Sequence, residues 1–217
     1  MHSTKSVIVG MGGLVFGIIE GPEKGWDSIE SISGLLIGSL SLIGFVLWEL
    51  RSANPLLDPR LFKLRGFSAG TLSITIQFFA QFGFIFVGMQ YLQFVAGKSP
   101  LEAATQLLWM PLVLLPGSRL AGALSKKVPQ KILGSVGLAI FAYSLFHFSS
   151  LPVEFDYWYF TIGILLFGTG LALSATPATV AITYALPDEK QGVASAVNDT
   201  AREVGSAIGI AILGAAL

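Results

Sequence analysis

Seven apolar runs follow one another with only short connections between them, and that succession decides what this chain can fold into. They lie at roughly 3–19, 31–50, 67–96, 101–123, 131–150, 157–185 and 192–217. A helix needs about 20 mostly apolar residues to cross about 30 Å of hydrocarbon, so the pattern predicts an all-α membrane protein of about seven transmembrane helices. Composition agrees: 53% of the 217 residues are hydrophobic and 12% are charged, about half the charge of an ordinary soluble domain. Mean hydropathy is +0.72. Connections such as Gly97-Lys98-Ser99-Pro100 and Val128-Pro129-Gln130 punctuate the runs and leave no room for a soluble domain. Continuous β-barrel alternation is missing, and Gly and Pro inside the runs are tolerated in membrane helices whose neighbours satisfy the freed backbone groups. The first run, Val7 to Ile19 after Lys5, imitates a signal peptide, but Glu20-Gly21-Pro22-Glu23 stands where a small-x-small cleavage site would be.

Charge sets the orientation and excludes several functions. Net charge is zero, which gives nucleic acid or an acidic partner no electrostatic handle. The absence of cysteine removes disulfides, thiolate metal sites and thiol nucleophiles. There are two histidines and no His-Glu-x-x-His, P-loop or dinucleotide motif, so the chain is not expected to be an intramembrane enzyme or an ATP-driven pump, and no cofactor is expected. Counting alternate sides, one set of connections holds Lys5, Arg51, Arg60, Lys63, Arg65, Lys126, Lys127, Lys131 and Lys190, and the other holds Lys24 and Lys98. Basic residues mark the cytoplasmic side, so the expectation is a multi-pass protein of the cell membrane with its N-terminus in the cytoplasm and its C-terminus outside. Trp26, Tyr91, Tyr157 and Trp158 then cluster at the outer interface, and Trp48 and Tyr184 near the inner one. The cytoplasmic connection PLLDPRLFKLRGF alternates Leu56, Leu57, Leu61, Phe62 and Leu64 with Arg60, Lys63 and Arg65, the pattern of an amphipathic segment lying along headgroups. It divides the chain into two linking spans at 1–50, a linker at 51–66 and a bundle at 67–217.

The last run places Asp199, Arg202 and Glu203 in a helix otherwise built of small residues, and charge inside a membrane is rarely idle. At about 100° per residue, Asn198, Arg202, Gly205 and Gly209 share one face with Ser195 at its edge. Val197, Thr200, Val204 and Ala211 cover the opposite side. Gly205 and Gly209 form a GxxxG step that admits another helix backbone, so Arg202 faces protein or a wet cavity, paired with Asp199 at i and i+3. The alternative, left open by spacing, is that these charges mark the membrane boundary, since 14 residues follow Glu203. In the third run Gln77, Gln81, Phe84 and Gly88 recur at i+4, i+3 and i+4 beside Phe78 and Phe82, a mixture that suits bulky lipophilic or cationic compounds. Interhelical packing with glutamine as a fastener is the alternative for each residue singly. Arg119 is expected to reach the cytoplasmic side, His147 to be interfacial, Asp188 and Glu189 to favour a helix N-terminus, and Glu49 to pair with Arg51 at the interface.

Four segments carry a resemblance: GLVFGIIEGPEKGW at 13–26, NPLLDPRLF at 54–62, YLQFVAGKSPLEAA at 91–104 and TPATVAITYALPDEKQGVASAVNDTAREVG at 176–205. In that order they resemble the fourteen-span drug/proton antiporters of the major facilitator superfamily. The resemblance implies a proton gradient as energy source and a lipophilic or cationic small-molecule substrate. Residues 1–50 would correspond to the two extra spans between the family's six-helix bundles, and 67–217 to the first five helices of its C-terminal bundle. It also implies a substrate cavity drawing on Gln77, Gln81, Phe84, Asn198 and Arg202, with Asp199, Arg202 and Glu203 as coupling or structural charges. The family's gating motif is matched only loosely at Gly122 to Gln130, where Lys126 stands in the acidic position. The N-terminal bundle and last C-terminal helix have no counterpart, and the sequence stops at Ala215-Ala216-Leu217 in an apolar run. The expectation is therefore a fragment of an exporter, with a non-transporting remnant or scaffold as the alternative.

Overall fold

The computed structural model describes residues 2–52, 55, 57–152 and 154–214. Ala215-Ala216-Leu217 and Leu56 of the amphipathic pattern lie outside them. Among the described residues the chain is helical and holds no strand. Helix α1 (His2–Lys24) turns at Gly25, whose φ of +94° costs a glycine little, into α2 (Ile29–Arg51). Ser28 caps α2, its Oγ accepting from the Ser31 N–H at 3.2 Å. A 3₁₀ turn (Pro59–Lys63) leads to α3 (Arg65–Gln90), which ends in a π turn (Tyr91–Val95). The fourth pass is broken at Leu108 into α4 (Pro100–Leu107) and α5 (Trp109–Leu124), and α4 opens on a capping box between Ser99 and Glu102. Then come α6 (Gln130–Ser149), α7 (Tyr157–Tyr184), capped by Asp156, a 3₁₀ turn (Asp188–Lys190) and α8 (Gln191–Gly214).

These elements make the seven expected passes. Residues 29–51, 65–95, 100–124, 130–149 and 157–184 are each long and apolar enough to cross a membrane; α1 and α8 do not meet that measure. Three charges in the middle of α8 account for its shortfall. Apolar side chains stand outward on the helices, among them Ile29, Phe94 and Leu101, as a lipid-facing surface requires.

Helices in lipid gain little from the hydrophobic effect between them and associate where small residues let backbones meet. That rule describes the main seams. In the α1–α2 seam, a methyl group built on Gly13 would lie 2.9 Å from the Gly38 nitrogen and one on Gly34 2.8 Å from Gly17 Cα. The buried Ser31 hydroxyl donates to the Gly17 carbonyl across the same seam at 2.8 Å. Helix α3 packs on both α8 and α7, and α7 packs on α6 and α5.

Two cores mark the two ends. Phe67, Ile74, Ala178, Ile182 and Leu186 gather with Ala194, Val197 and Ala201 at one, where Leu57 and Leu61 of the linker join them. Glu49 is buried there, its Oε2 accepting the Leu57 N–H at 3.0 Å. At the other end Phe141, Phe148, Phe160 and Phe167 surround Leu92 and Ile164. Lys98 there sits 5.1 Å above the Phe155 ring. His147 belongs to this second end as a packing residue: its ring stacks on Tyr159 at 3.9 Å, and its Nε2 bonds the Tyr159 carbonyl at 2.9 Å.

Candidate functional site

A groove of about 440 Å³ opens between four helices. Helix α3 contributes Phe78 and Gln81; α5 contributes Leu114, Leu115 and Ser118; α7 contributes Leu171, Ala172, Ala175, Thr176, Thr179 and Val180; α8 contributes Arg202. A larger cleft of about 610 Å³ separates α1 and α2 from α8, but its lining, from Val7 and Met11 to Val197 and Val204, holds no charged side chain. It offers volume without chemistry, so the smaller groove is the candidate site.

The geometry around Arg202 starts from glycine. A Cβ on Gly205 or Gly209 would collide with the carbonyl oxygens of Thr75 and Phe79 in α3, so these two positions hold α8 in backbone contact with α3. Arg202, one turn before Gly205 and midway along α8, is thereby aimed across the groove. Its guanidinium carbon lies 5.2 Å from the Phe78 ring centroid, and its Nη2 donates a long 3.4 Å bond to Thr179 Oγ1. The Thr179 hydroxyl in turn donates to Asn198 Oδ1 at 3.2 Å. Two atoms in this constellation are buried without a hydrogen-bond partner, Arg202 Nε and Gln81 Oε1. Buried polar groups are normally satisfied, and here two unspent groups face one groove.

The sequence profile described as Major Facilitator Superfamily matches residues 6–210. The chain belongs to that superfamily. It is similar to the multidrug resistance protein Stp of Mycobacterium tuberculosis, 33% identical over 97% of this chain and 39% of that protein. It is also similar to the tetracenomycin C resistance and export protein of Streptomyces glaucescens, 31% identical over 93% and 37%, and to the quinolone resistance protein NorB of Staphylococcus aureus, 33% over 91% and 43%. The chain thus spans about two fifths of the length of the curated relatives it matches.

In this major facilitator chain the residues expected to form one cavity separate into two groups. Gln81 and Arg202 line the groove, and Asn198 supports it from behind through Thr179. Gln77 and Phe84 do not line it, which corrects the expectation from their spacing. Gln77 is wholly buried, its Nε2 donating to Ser73 Oγ at 2.8 Å and its Oε1 accepting from Ser174 Oγ at 2.6 Å. It is the fastener between α3 and α7. Phe84 turns into the aromatic core, with centroids 4.4 Å from Phe148 and 4.8 Å from Phe167.

The expected Asp199 and Arg202 pair is corrected too. Asp199 and Glu203 are exposed, and among the described residues neither carboxylate reaches Arg202 within ion-pair distance. The guanidinium extends instead toward Phe78 and Thr179, on the side of α8 that packs inward. Arg119 is exposed on α5, next to Ser118 of the groove wall. The hydroxyls of Thr176 and Thr179 join the groove without a motif to mark them, although their i, i+3 spacing in a small-residue helix is a usable signal for a polar strip.

Proposed function

We propose that this chain forms part of a proton-coupled exporter of lipophilic small molecules in the cell membrane, with the groove on α3, α5, α7 and α8 as its share of the substrate path. The observation that carries the reading is Arg202, a charge held midway along a helix inside a groove that also presents Gln81, Thr176 and Thr179. Charges placed so in membrane helices mark substrate or ion pathways, and transporter sites lie near the midplane between structural repeats. The resistance and export names of the relatives support the substrate class. Their greater length supports a second bundle as the partner that closes the groove, and the exposed Asp199 and Glu203 would face that protein or water rather than lipid. No cofactor has a part in this reading; the proton gradient drives the cycle. Residues 1–50 serve as the linking pair, 51–66 as a cytoplasmic linker and 67–217 as bundle helices.

The test is proteoliposomes holding the chain with a co-expressed N-terminal half of a related transporter, under an imposed pH gradient. Saturable drug flux that a protonophore collapses is the expected result, with none from the chain alone. A membrane scaffold would give no flux in either preparation. Orientation is read separately: accessibility tags at Lys63, Lys127 and Glu189 report cytoplasm, and tags at Lys24, Lys98 and Asp156 report the exterior, if the N-terminus is inside.

A further inference from the structure

We propose that the groove selects aromatic molecules bearing an anionic group or a strong hydrogen-bond acceptor, and disfavours lipophilic cations. This rests on the transport reading above and narrows its substrate class.

Three observations converge. First, Arg202 is the one charged side chain among the residues lining the groove, and no carboxylate among the described residues reaches it. A guanidinium carries five N–H donors and no acceptor, and here it makes one long bond, to Thr179. No described carboxylate offsets its charge, so a cation entering the groove meets repulsion and an anion meets attraction. Secondly, the guanidinium lies over the Phe78 ring. A planar ligand can extend that stack against Leu114, Leu115 and Leu171 while its acceptor meets the guanidinium, a geometry in which Arg differs from Lys. Thirdly, Gln81 is nine-tenths buried, and its Oε1 has no partner. That oxygen leaves the groove an acceptor for a hydroxyl or N–H on the same ligand. A groove built for cations would reverse the pattern, with a carboxylate lining it and aromatic faces left free.

The experiment uses the full chain in nanodiscs of uncharged phosphatidylcholine, with three fluorescent probes sharing one ring system: anthracene-9-carboxylate, 9-anthrylmethyl-trimethylammonium and 9-methylanthracene. Binding is corrected for empty nanodiscs. The expected result is at least tenfold tighter binding of the carboxylate than of the ammonium. Arg202→Met should abolish that preference, leaving the carboxylate and the ammonium bound alike. Arg202→Gln, which keeps an amide in the same space, is the second variant, and the preference must vanish in whichever of the two retains wild-type helicity and a monodisperse profile. Arg202→Lys, by keeping charge without the planar fork, should retain a preference weaker than that of wild type. Equal or tighter binding of the ammonium, an unaltered preference in Arg202→Met and Arg202→Gln, or no binding of any probe overturns the proposal. Gradient-driven flux of a lipophilic cation by the co-expressed pair would sink it while leaving the transport reading intact.

Discussion

Gln77 and Gln81 stand one turn apart on α3, carry the same amide and point into the same protein, yet their surroundings differ. Gln77 is sealed between Ser73 and Ser174, with a partner for its oxygen and another for its nitrogen. Gln81 lines a groove with its oxygen unpaired. The first amide ties two helices together; the second is held unsatisfied beside an arginine. Polarity in a membrane helix therefore has two physically distinct uses, and what separates them is whether the donors and acceptors are matched inside the chain.

The comparison depends on the seam that brings α8 to α3, so the largest effect should come from breaking it. Gly205→Leu would drive a side chain into the Thr75 carbonyl and the Phe79 nitrogen, backbone atoms that cannot yield as a side-chain tip can. Overpacking commonly costs about 1–3 kcal/mol and more where nothing can give, so loss of the monodisperse peak in size-exclusion chromatography is expected. Gly44→Leu, at a position with open space around it, should leave the profile unchanged.

Gln77→Leu comes next. It removes the α3–α7 tie and leaves the single Ser174 hydroxyl proton to the Gly170 carbonyl at 2.8 Å, so a loss of about 1 kcal/mol is expected, read as a lower thermal midpoint in detergent. Gln81→Leu should do the opposite or nothing, within about 0.5 kcal/mol, since an oxygen that had no partner is replaced by an apolar group of similar shape. If both substitutions lowered the midpoint equally, the distinction between the two glutamines would collapse. Smallest of all, Asp199→Asn should leave the midpoint where it is, because the carboxylate is exposed and holds no ion pair with Arg202. A fall comparable to that of Gln77→Leu would restore the coupled pair that spacing had suggested.

Much of the fold was legible because it depends on local pattern. The seven apolar runs became seven passes, the GxxxG step became the α3–α8 seam, and the face shared by Asn198, Arg202, Gly205 and Gly209 turned inward as a unit. The connections expected on one side of the membrane do meet at one end, where the linker leucines join Leu186. What was not legible depended on partners distant in sequence. Periodicity puts Gln77 and Gln81 on one strip, but only folding brings Ser174 to Gln77, 97 residues away, and nothing comparable to Gln81. Phe84 shares that strip and is claimed by Phe148 and Phe167. Likewise i, i+3 spacing allows Asp199 to meet Arg202, but the aromatic face and hydroxyl on neighbouring helices draw the guanidinium away.

The four walls of the groove differ in stiffness. Helix α8 is locked to α3 by its glycine seam and α7 is pinned to α3 by the bond between Gln77 and Ser174, so three sides are tied to one another. The fourth wall, α5, leans chiefly on α7. It is cut off from α4 at Leu108 and carries Pro116, which removes the backbone N–H that would bind the carbonyl of Leu112. Widening the groove from the α3 or α8 side requires tearing a seam, whereas α5 can bend at Pro116, where one rung of its backbone ladder is already missing. Helix α7 carries a proline of its own, Pro177, but is tied to α3 through Ser174; an occupant too large for about 440 Å³ is therefore expected to displace α5 first while Arg202 stays in place.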